Sequence, residues 1–407
     1  MSRRHSALAG GLALGVALVL AACGSTSAGQ TAADRAPAAV VEGPMLATSL
    51  STGGGASWAV VQMGGPAATH ENFWELFVRP AGTTTWKLAT PPGVASNGGL
   101  VMAATGATSL IAGFRPSQDL TFSPLATTTD AGGLWSQNTP LSPGLGDVPY
   151  ALAGTSDGQL LGLTNQGSIE LGKDHGTSWT RLSTQEALAR SAATRTCGIT
   201  ALTGVAWTPA GDPLIATGCR KAGTTGIFAF SAGAWQRAGP MLPAVLGRDQ
   251  ISVVGLATAA GRTTAILAAR SGDRISLVAA WSGDGGTHWT LSPALPVAPQ
   301  AGTASSLPAP SVASVSIWAG GSAGIVLPAS HAGGASSGVI IGWRATGWRT
   351  LPRLPAGTVT LAAGSHGQPQ ALSVSGRTMT ALQLVAGSAG WRLAQTMQVS
   401  IPYGSSG

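Results

Sequence analysis

Ser282-Gly283-Asp284-Gly285-Gly286-Thr287-His288-Trp289 is the stretch on which the fold turns. A carboxylate two residues after a hydroxyl can accept hydrogen bonds from the N–H groups of its own turn. A glycine two residues later can take a positive φ. The tryptophan that follows carries more apolar surface than a turn can cover, so it must pack elsewhere. The same order recurs in Thr128-Thr129-Asp130-Ala131-Gly132-Gly133-Leu134-Trp135. It recurs again in Gly172-Lys173-Asp174-His175-Gly176-Thr177-Ser178-Trp179. Four further tryptophans, Trp86, Trp235, Trp348 and Trp391, follow a small-residue turn and open a short β-like run without the Asp and Gly. The seven tryptophans are spaced 49, 44, 56, 54, 59 and 43 residues apart. Repeats of about 40 to 50 residues are the mark of a propeller.

Each repeat breaks into short β-like runs. In the third they are Tyr150–Gly154, Gln159–Thr164, Ser168–Gly172 and Trp179–Leu182, separated by Gly, Ser and Asp. Even spacing with turn signals between indicates an all-β repeat fold. No stretch holds a helical period. The expectation is an all-β fold, a seven-bladed β-propeller of four-stranded antiparallel blades, over residues 45–407.

The three full turns resemble the Asp-box, Ser-x-Asp-x-Gly-x-Thr-Trp, of the BNR-repeat, sialidase-like propellers. The copy at Ser282 departs from it only at His288. In that family the turn joins the third and fourth strands, on the face away from the usual active site. The resemblance therefore implies structural roles for Asp130, Gly132, Trp135, Asp174, Gly176, Trp179, Asp284, Gly286 and Trp289. Sialidases in the family use three arginines, an acid/base Asp and a Tyr–Glu pair. Here there are only two tyrosines, Tyr150 and Tyr403, and the family's Arg-Ile-Pro motif is absent, Phe114-Arg115-Pro116 being a poor substitute. Photosystem-assembly propellers also carry Asp-boxes, so an assembly factor and a glycoside hydrolase are the alternatives to a binding propeller.

The N-terminus has Arg3 and Arg4, an apolar run Ala7–Ala22, and then Leu20-Ala21-Ala22-Cys23. A basic start, a short apolar core and small residues at the cut form a signal peptide. The run is below the ~20 residues that span a bilayer. Leu-Ala-Ala-Cys resembles the bacterial lipobox. The expectation is a signal peptide over 1–22, lipidation at Cys23, and a flexible tether over 23–44, rich in Ala, Ser, Thr and Gly. The protein would then sit on the outer side of the cell membrane. Cys197 and Cys219 remain as an even pair in an oxidising compartment, which favours a disulfide. The Arg- and Ala-rich bias resembles actinobacterial proteomes.

Formal charge is +7, and +5 once Arg3 and Arg4 are cut away. There is no basic run, which argues against nucleic acid. The histidines show no metal-cluster spacing, and no cofactor motif is present. Loops after the second and fourth strands would carry Arg115, Arg190, Arg195, Arg220, Lys221, Arg248, Arg270, Arg274, Arg353 and Arg377. Against these ten stand Glu71, Asp119, Asp147, Glu186, Asp249 and Asp273, a balance of +4. The opposite face would carry Arg79, Lys173, Arg262 and Arg344 against Asp130, Asp157, Asp174, Asp212 and Asp284, a balance of −1. Arg115, Arg220, Arg270, Arg274 and Arg377 are thus the candidate ligand face. An acidic glycan or an envelope protein is the expected partner, with no catalytic set.

Overall fold

The structure, a computed structural model, describes residues 45–64, 72–92, 97–115, 125–137, 145, 148–297, 312–329, 336–343, 345–364, 368–387 and 390–400. The expected signal peptide over 1–22, lipidation at Cys23 and tether over 23–44, and also Tyr403, lie outside the described residues. Every repeat tryptophan stands at the start of the last strand of an antiparallel run of four. The first run is β1 (Thr48–Ser51), β2 (Ser57–Gly64), β3 (Asn72–Arg79) and β4 (Lys87–Leu88). Next come β5 (Leu100–Ala104), β6 (Leu110–Phe114), β7 (Leu125–Thr128) and β8 (Ser136–Gln137). β9 (Pro149–Gly154), β10 (Leu160–Thr164), β11 (Ser168–Lys173) and β12 (Ser178–Thr184) follow. Then come β13 (Ile199–Trp207), β14 (Pro213–Cys219), β15 (Gly226–Ser231) and β16 (Ala234–Arg237).

The next run is β17 (Gln250–Ala259), β18 (Arg262–Ser271), β19 (Arg274–Ser282) and β20 (Thr290–Leu291), with β21 (Leu295–Val297) as a fifth strand. β20 and β21 both pair with β19, because Ser292-Pro293-Ala294 splits the outer strand. Proline has no N–H to give to a ladder. The chain ends with β22 (Ser314–Ile317), β23 (Ala323–Leu327), β24 (Ser337–Ile341) and β25 (Arg349–Thr350), then β26 (Thr358–Ala363), β27 (Pro369–Ser375), β28 (Thr378–Leu384) and β29 (Trp391–Gln398).

The fold is an all-β propeller. The first strands β1, β5, β9, β13, β17 and β22 surround a central cavity, and later strands step outward. Middle strands are covered on both faces by neighbouring runs. They therefore read as continuous apolar stretches, with β2 and β18 buried almost throughout. This packing contributes to the positive mean hydropathy of +0.26. Outer strands are exposed and carry Lys87, Arg237, Arg349 and Arg392, charges that blunt free sheet edges.

Two expectations are corrected. Hydrogen bonding gives six sheets among the described residues rather than seven separate ones, because one parallel bridge, Leu50 to Ile317, joins β22 to β1 in an eight-stranded sheet. The small side chains of Ser49, Ser314 and Ser316 allow this close approach. β26 sits behind the joint and lines none of the cavity. There Thr360 Oγ1 lies 2.8 Å from Ser314 Oγ and 3.0 Å from Ser316 Oγ, and Ser49 Oγ donates to the Leu361 carbonyl at 2.7 Å. Secondly, two short helices, α1 (Gln185–Arg190) and α2 (Ala192–Arg195), link β12 to β13. Thr184 caps the first by accepting from the Ala187 N–H at 3.1 Å. At six and four residues they are too short to show a period.

Each repeat tryptophan leans on the run before it. The indole N–H groups of Trp289, Trp348 and Trp391 donate to the carbonyls of Ala238, Pro293 and Arg353. Trp135, Trp179 and Trp235 pack into apolar clusters shared with the preceding run. Trp86 closes the circle. Its indole donates to Gln370 Oε1 at 2.9 Å, its backbone N–H donates to Gln395 Oε1 at 2.7 Å, and Gln395 Nε2 returns a bond to the Trp86 carbonyl at 2.9 Å.

Candidate functional site

In two of the three Asp-bearing turns the side chains bond as the residue order demands. Thr128 Oγ1 donates to Asp130 Oδ1 at 2.8 Å and accepts from the Gly132 N–H at 3.0 Å. Asp130 Oδ1 accepts from the Leu134 N–H at 2.9 Å. Ser282, Asp284, Gly286 and His288 repeat this pattern at 2.9 Å for each bond, and His288 Nδ1 lies 2.6 Å from Asp284 Oδ2. Gly132 and Gly286 have φ of +81° and +97°. A Cβ on them would come within 2.8 Å of Ala89 Cβ and 2.5 Å of the Ala238 carbonyl oxygen, so the preceding run also requires glycine there. In the copy at Asp174 the first position is Gly172, and the turn tightens into a 3-10 turn with Asp174 and His175 at φ of +49° and +57°. Any Cβ at Gly172 would strike the Trp179 ring at 2.9 Å.

These bonds have a pH signature. The Leu134 N–H, then the Thr128 hydroxyl, hold the Asp130 carboxyl below its ordinary value; the His288 N–H, then the His288 ring, do so for Asp284. A lowered folded-state pKa adds stability that is complete above the unfolded value, near 3.9. That stability disappears as pH falls through the folded value. Unfolding midpoints measured from pH 6 to pH 2 should therefore fall more steeply for the wild type than for the Asp130→Asn/Asp284→Asn variant. Parallel curves would contradict this.

The central cavity has a volume of about 930 Å³ and is walled by aliphatic and small residues such as Leu50, Leu152, Val254, Leu256, Val315 and Ile317. Its mouth is formed by the turns between first and second strands. In several of these the first residue's N–H bonds to a carbonyl four residues on: Thr52 to Ala56, Thr105 to Ser109, Thr155 to Gln159 and Thr208 to Asp212. This second repeat was missed in the sequence, although Thr52, Thr105, Thr155 and Thr208 recur at 53, 50 and 53 residues. The turns of Asp130 and Asp174 lie on the same side: the Ala131 N–H donates to the Thr108 carbonyl and the His175 N–H to the Gly158 carbonyl. Asp157 is the one carboxylate among the described wall residues, and Gln159 Nε2 donates to it at 3.0 Å.

The candidate ligand-face residues divide. Arg115 does not join an open face. Its guanidinium sits 5.6 Å from the centre of the Tyr150 ring and its Nε is buried. Burial lowers its pKa and raises that of Tyr150, each partly offset by the other group. Arg115 follows Phe114 directly, at the very end of a buried strand, which draws the side chain inward. Arg79, placed on the opposite face, is also a strut: it donates to Ser57 Oγ at 2.9 Å and to the Ala363 carbonyl at 2.7 Å. Arg377 is exposed at the β27–β28 turn, beside β2 through the bond from the Gly64 N–H to Gly376.

Arg220, Arg270 and Arg274 fall in one sector. Cys197 and Cys219 form a disulfide, as expected, closing a separation of 22 residues and stabilising the fold by about 3 kcal/mol on the chain-entropy model. Beside it, the Arg220 and Lys221 N–H groups donate to the Gly198 and Cys197 carbonyls. The same turn reaches the next loop where the Gly223 N–H donates to Asp249 at 2.8 Å. Arg248 precedes Asp249, Gln250 pairs with Arg270, and Ser271 pairs with Arg274 at the hairpin tip. Arg190 and Arg195 stand on the two helices leading to Cys197. Seven basic residues (Arg190, Arg195, Arg220, Lys221, Arg248, Arg270, Arg274) thus share the sector with three acids (Glu186, Asp249, Asp273), a net of +4. Arg190 is bonded to Glu186 at 2.8 Å. Glu71, Asp119, Asp147 and Arg344 lie outside the described residues. Among the described residues no three His, Cys, Asp or Glu side chains cluster in a way that could hold a metal ion, and no helix is long and apolar enough to cross a membrane.

No family model matches the chain, and no curated protein matches it by sequence. Solved propellers are similar in fold. YCF48 bound to D1 peptide is 16% identical, with 85% of this chain and 95% of that chain covered and a TM-score of 0.45. The Hadza microbial sialidase Hz136 is 13% identical, covering 70% and 63%, with a TM-score of 0.41. The β-propeller domain of the Trilobed protease from Pyrococcus furiosus is 8% identical, covering 88% and 97%, with a TM-score of 0.44. Their functions differ, and at this distance none transfers.

Proposed function

We propose that this chain is a non-catalytic, lipid-anchored propeller that holds an acidic envelope partner against the basic sector beside Cys197–Cys219. The observation that carries the reading is that sector: arginines scattered over 85 positions of sequence share one run of bonded loops, with a net charge of +4. Arginine's planar fork suits carboxylate and phosphate. The disulfide fits a chain exported to an oxidising compartment, in keeping with a lipobox at Cys23. The architecture underneath is read as seven four-stranded blades, the eight-stranded sheet being two blades joined at the Leu50–Ile317 bridge. Glycoside hydrolysis is the weaker reading. It needs two facing carboxylates, and the described cavity wall carries Asp157 alone.

Full-length exported protein should bind polygalacturonate and poly-glutamate but not neutral dextran, and release no reducing ends. Affinity should fall as salt rises, because exposed charges are screened over ~8 Å at physiological ionic strength. Equal binding to dextran, or cleavage of polygalacturonate, would remove the reading.

A further inference from the structure

The loop between β16 and β17 holds two large apolar side chains in solvent. Met241 is 94% exposed and Val245 is 80% exposed. The other exposed large apolar residues among those described, Leu88, Leu134, Val385 and Leu393, stand singly on separate elements. Apolar residues exposed singly need no explanation, whereas Met241 and Val245 stand four positions apart on one loop.

This support is fixed. Leu246 is buried in the core and Leu242 packs against the same cluster, so the loop is pinned between its two exposed residues and again after them. Thr225 Oγ1 donates to the Pro240 carbonyl at 2.8 Å. The Leu246 N–H donates to Pro243 at 2.9 Å and the Asp249 N–H to Leu246 at 3.1 Å. Gly223 approaches so closely that a Cβ on it would meet the Gly247 carbonyl oxygen at 2.4 Å. The apolar pair therefore projects from a braced loop whose neighbours are Arg220, Lys221 and Arg248, all exposed.

We infer that Met241 and Val245 are the apolar anchor of a protein-docking site, and that its occupant is an acidic protein segment carrying aromatic or aliphatic side chains. The inference rests on the basic sector as the binding face and specifies what binds there. An apolar centre with a polar rim is the layout of a protein interface, where methionine and arginine are both enriched. Methionine suits it, because its flexible, polarisable side chain adapts to the surface it meets. A polyuronate would match the arginines but offer nothing to the apolar pair.

The test uses the full-length protein with three probes: poly-glutamate, a random glutamate–tyrosine copolymer of equal length, and phosphatidylglycerol vesicles. Wild type should bind the copolymer roughly tenfold more tightly than poly-glutamate. Met241→Ser/Val245→Ser should make the two affinities equal while leaving poly-glutamate binding and the unfolding midpoint unchanged. Arg220→Ser/Arg274→Ser should weaken both polymers alike. If wild type shows no preference, or the apolar variant keeps the preference, this inference falls while the basic-sector reading stands. If the apolar variant loses vesicle binding alone, the loop is a membrane-inserting device and the inference is overturned. Failure of wild type to bind either polymer would overturn both readings.

Discussion

Replacing Trp86 by alanine is expected to destabilise the propeller by about 3–5 kcal/mol, the range for a large buried aromatic lost from a close-packed site. Trp86 is 1% exposed and lies between the first and last strand runs. Its removal opens a cavity, leaves the Gln370 side-chain oxygen without the indole donor, and loosens the two-way clasp between the Trp86 backbone and Gln395. No strand pairing joins the first and last runs in the described residues, so the loss falls on the side-chain contacts of this seam. Trp391, half-buried with one bond to the Arg353 carbonyl, is a useful comparison. Guanidinium chloride unfolding of Trp86→Ala and Trp391→Ala should show a clearly larger fall in midpoint for Trp86→Ala. Equal falls would mean that the clasp adds nothing to ring closure.

Cys23→Ser should change the protein's location outright. The lipobox reading puts a diacylglyceryl group on this thiol, and two acyl chains hold a protein stably where one binds marginally. Serine has no thiol to modify. Expressed in a bacterial host, wild type should fractionate with membranes and carry a lipid mass on an N-terminal Cys23. The variant should be found either soluble or as uncut precursor. A variant cleaved and retained like wild type would end the lipoprotein reading while leaving the propeller untouched.

Local physics explains what could be read from the sequence. Each of the turns Thr128–Trp135 and Ser282–Trp289 keeps its bonds within eight residues, so both announce themselves. The tryptophan spacing is legible because each ring must fill the seam to the run before it. The cysteine pair followed from counting once Cys23 was set aside. Contacts between distant residues were not legible. Ser49 and Ser316 meet across 267 positions, and nothing local in either stretch says that β1 will bridge β22 and leave β26 behind. Arg115 looks like any loop arginine in the sequence, and only the Tyr150 ring shows that it is turned inward. The basic sector was half legible. Arg220, Arg270 and Arg274 could be assigned to turns between second and third strands, but the bond from Gly223 to Asp249 that joins those turns into one surface depends on the fold. Met241 and Val245 were hidden by their own hydrophobicity, since Met-Leu-Pro-Ala-Val-Leu reads as buried until Leu242 and Leu246 are seen to take the inner positions.

The central claim is that the sector beside the disulfide, and not the protein's positive charge in general, holds an acidic partner. The most direct measurement is the affinity for poly-glutamate of wild type, Arg220→Ser/Arg274→Ser and Arg349→Ser/Arg392→Ser across a salt series. The second pair removes the same charge from exposed outer strands, β25 and β29. The account predicts weaker binding and a shallower salt dependence for Arg220→Ser/Arg274→Ser, with Arg349→Ser/Arg392→Ser close to wild type. Equal losses in the two variants would contradict it.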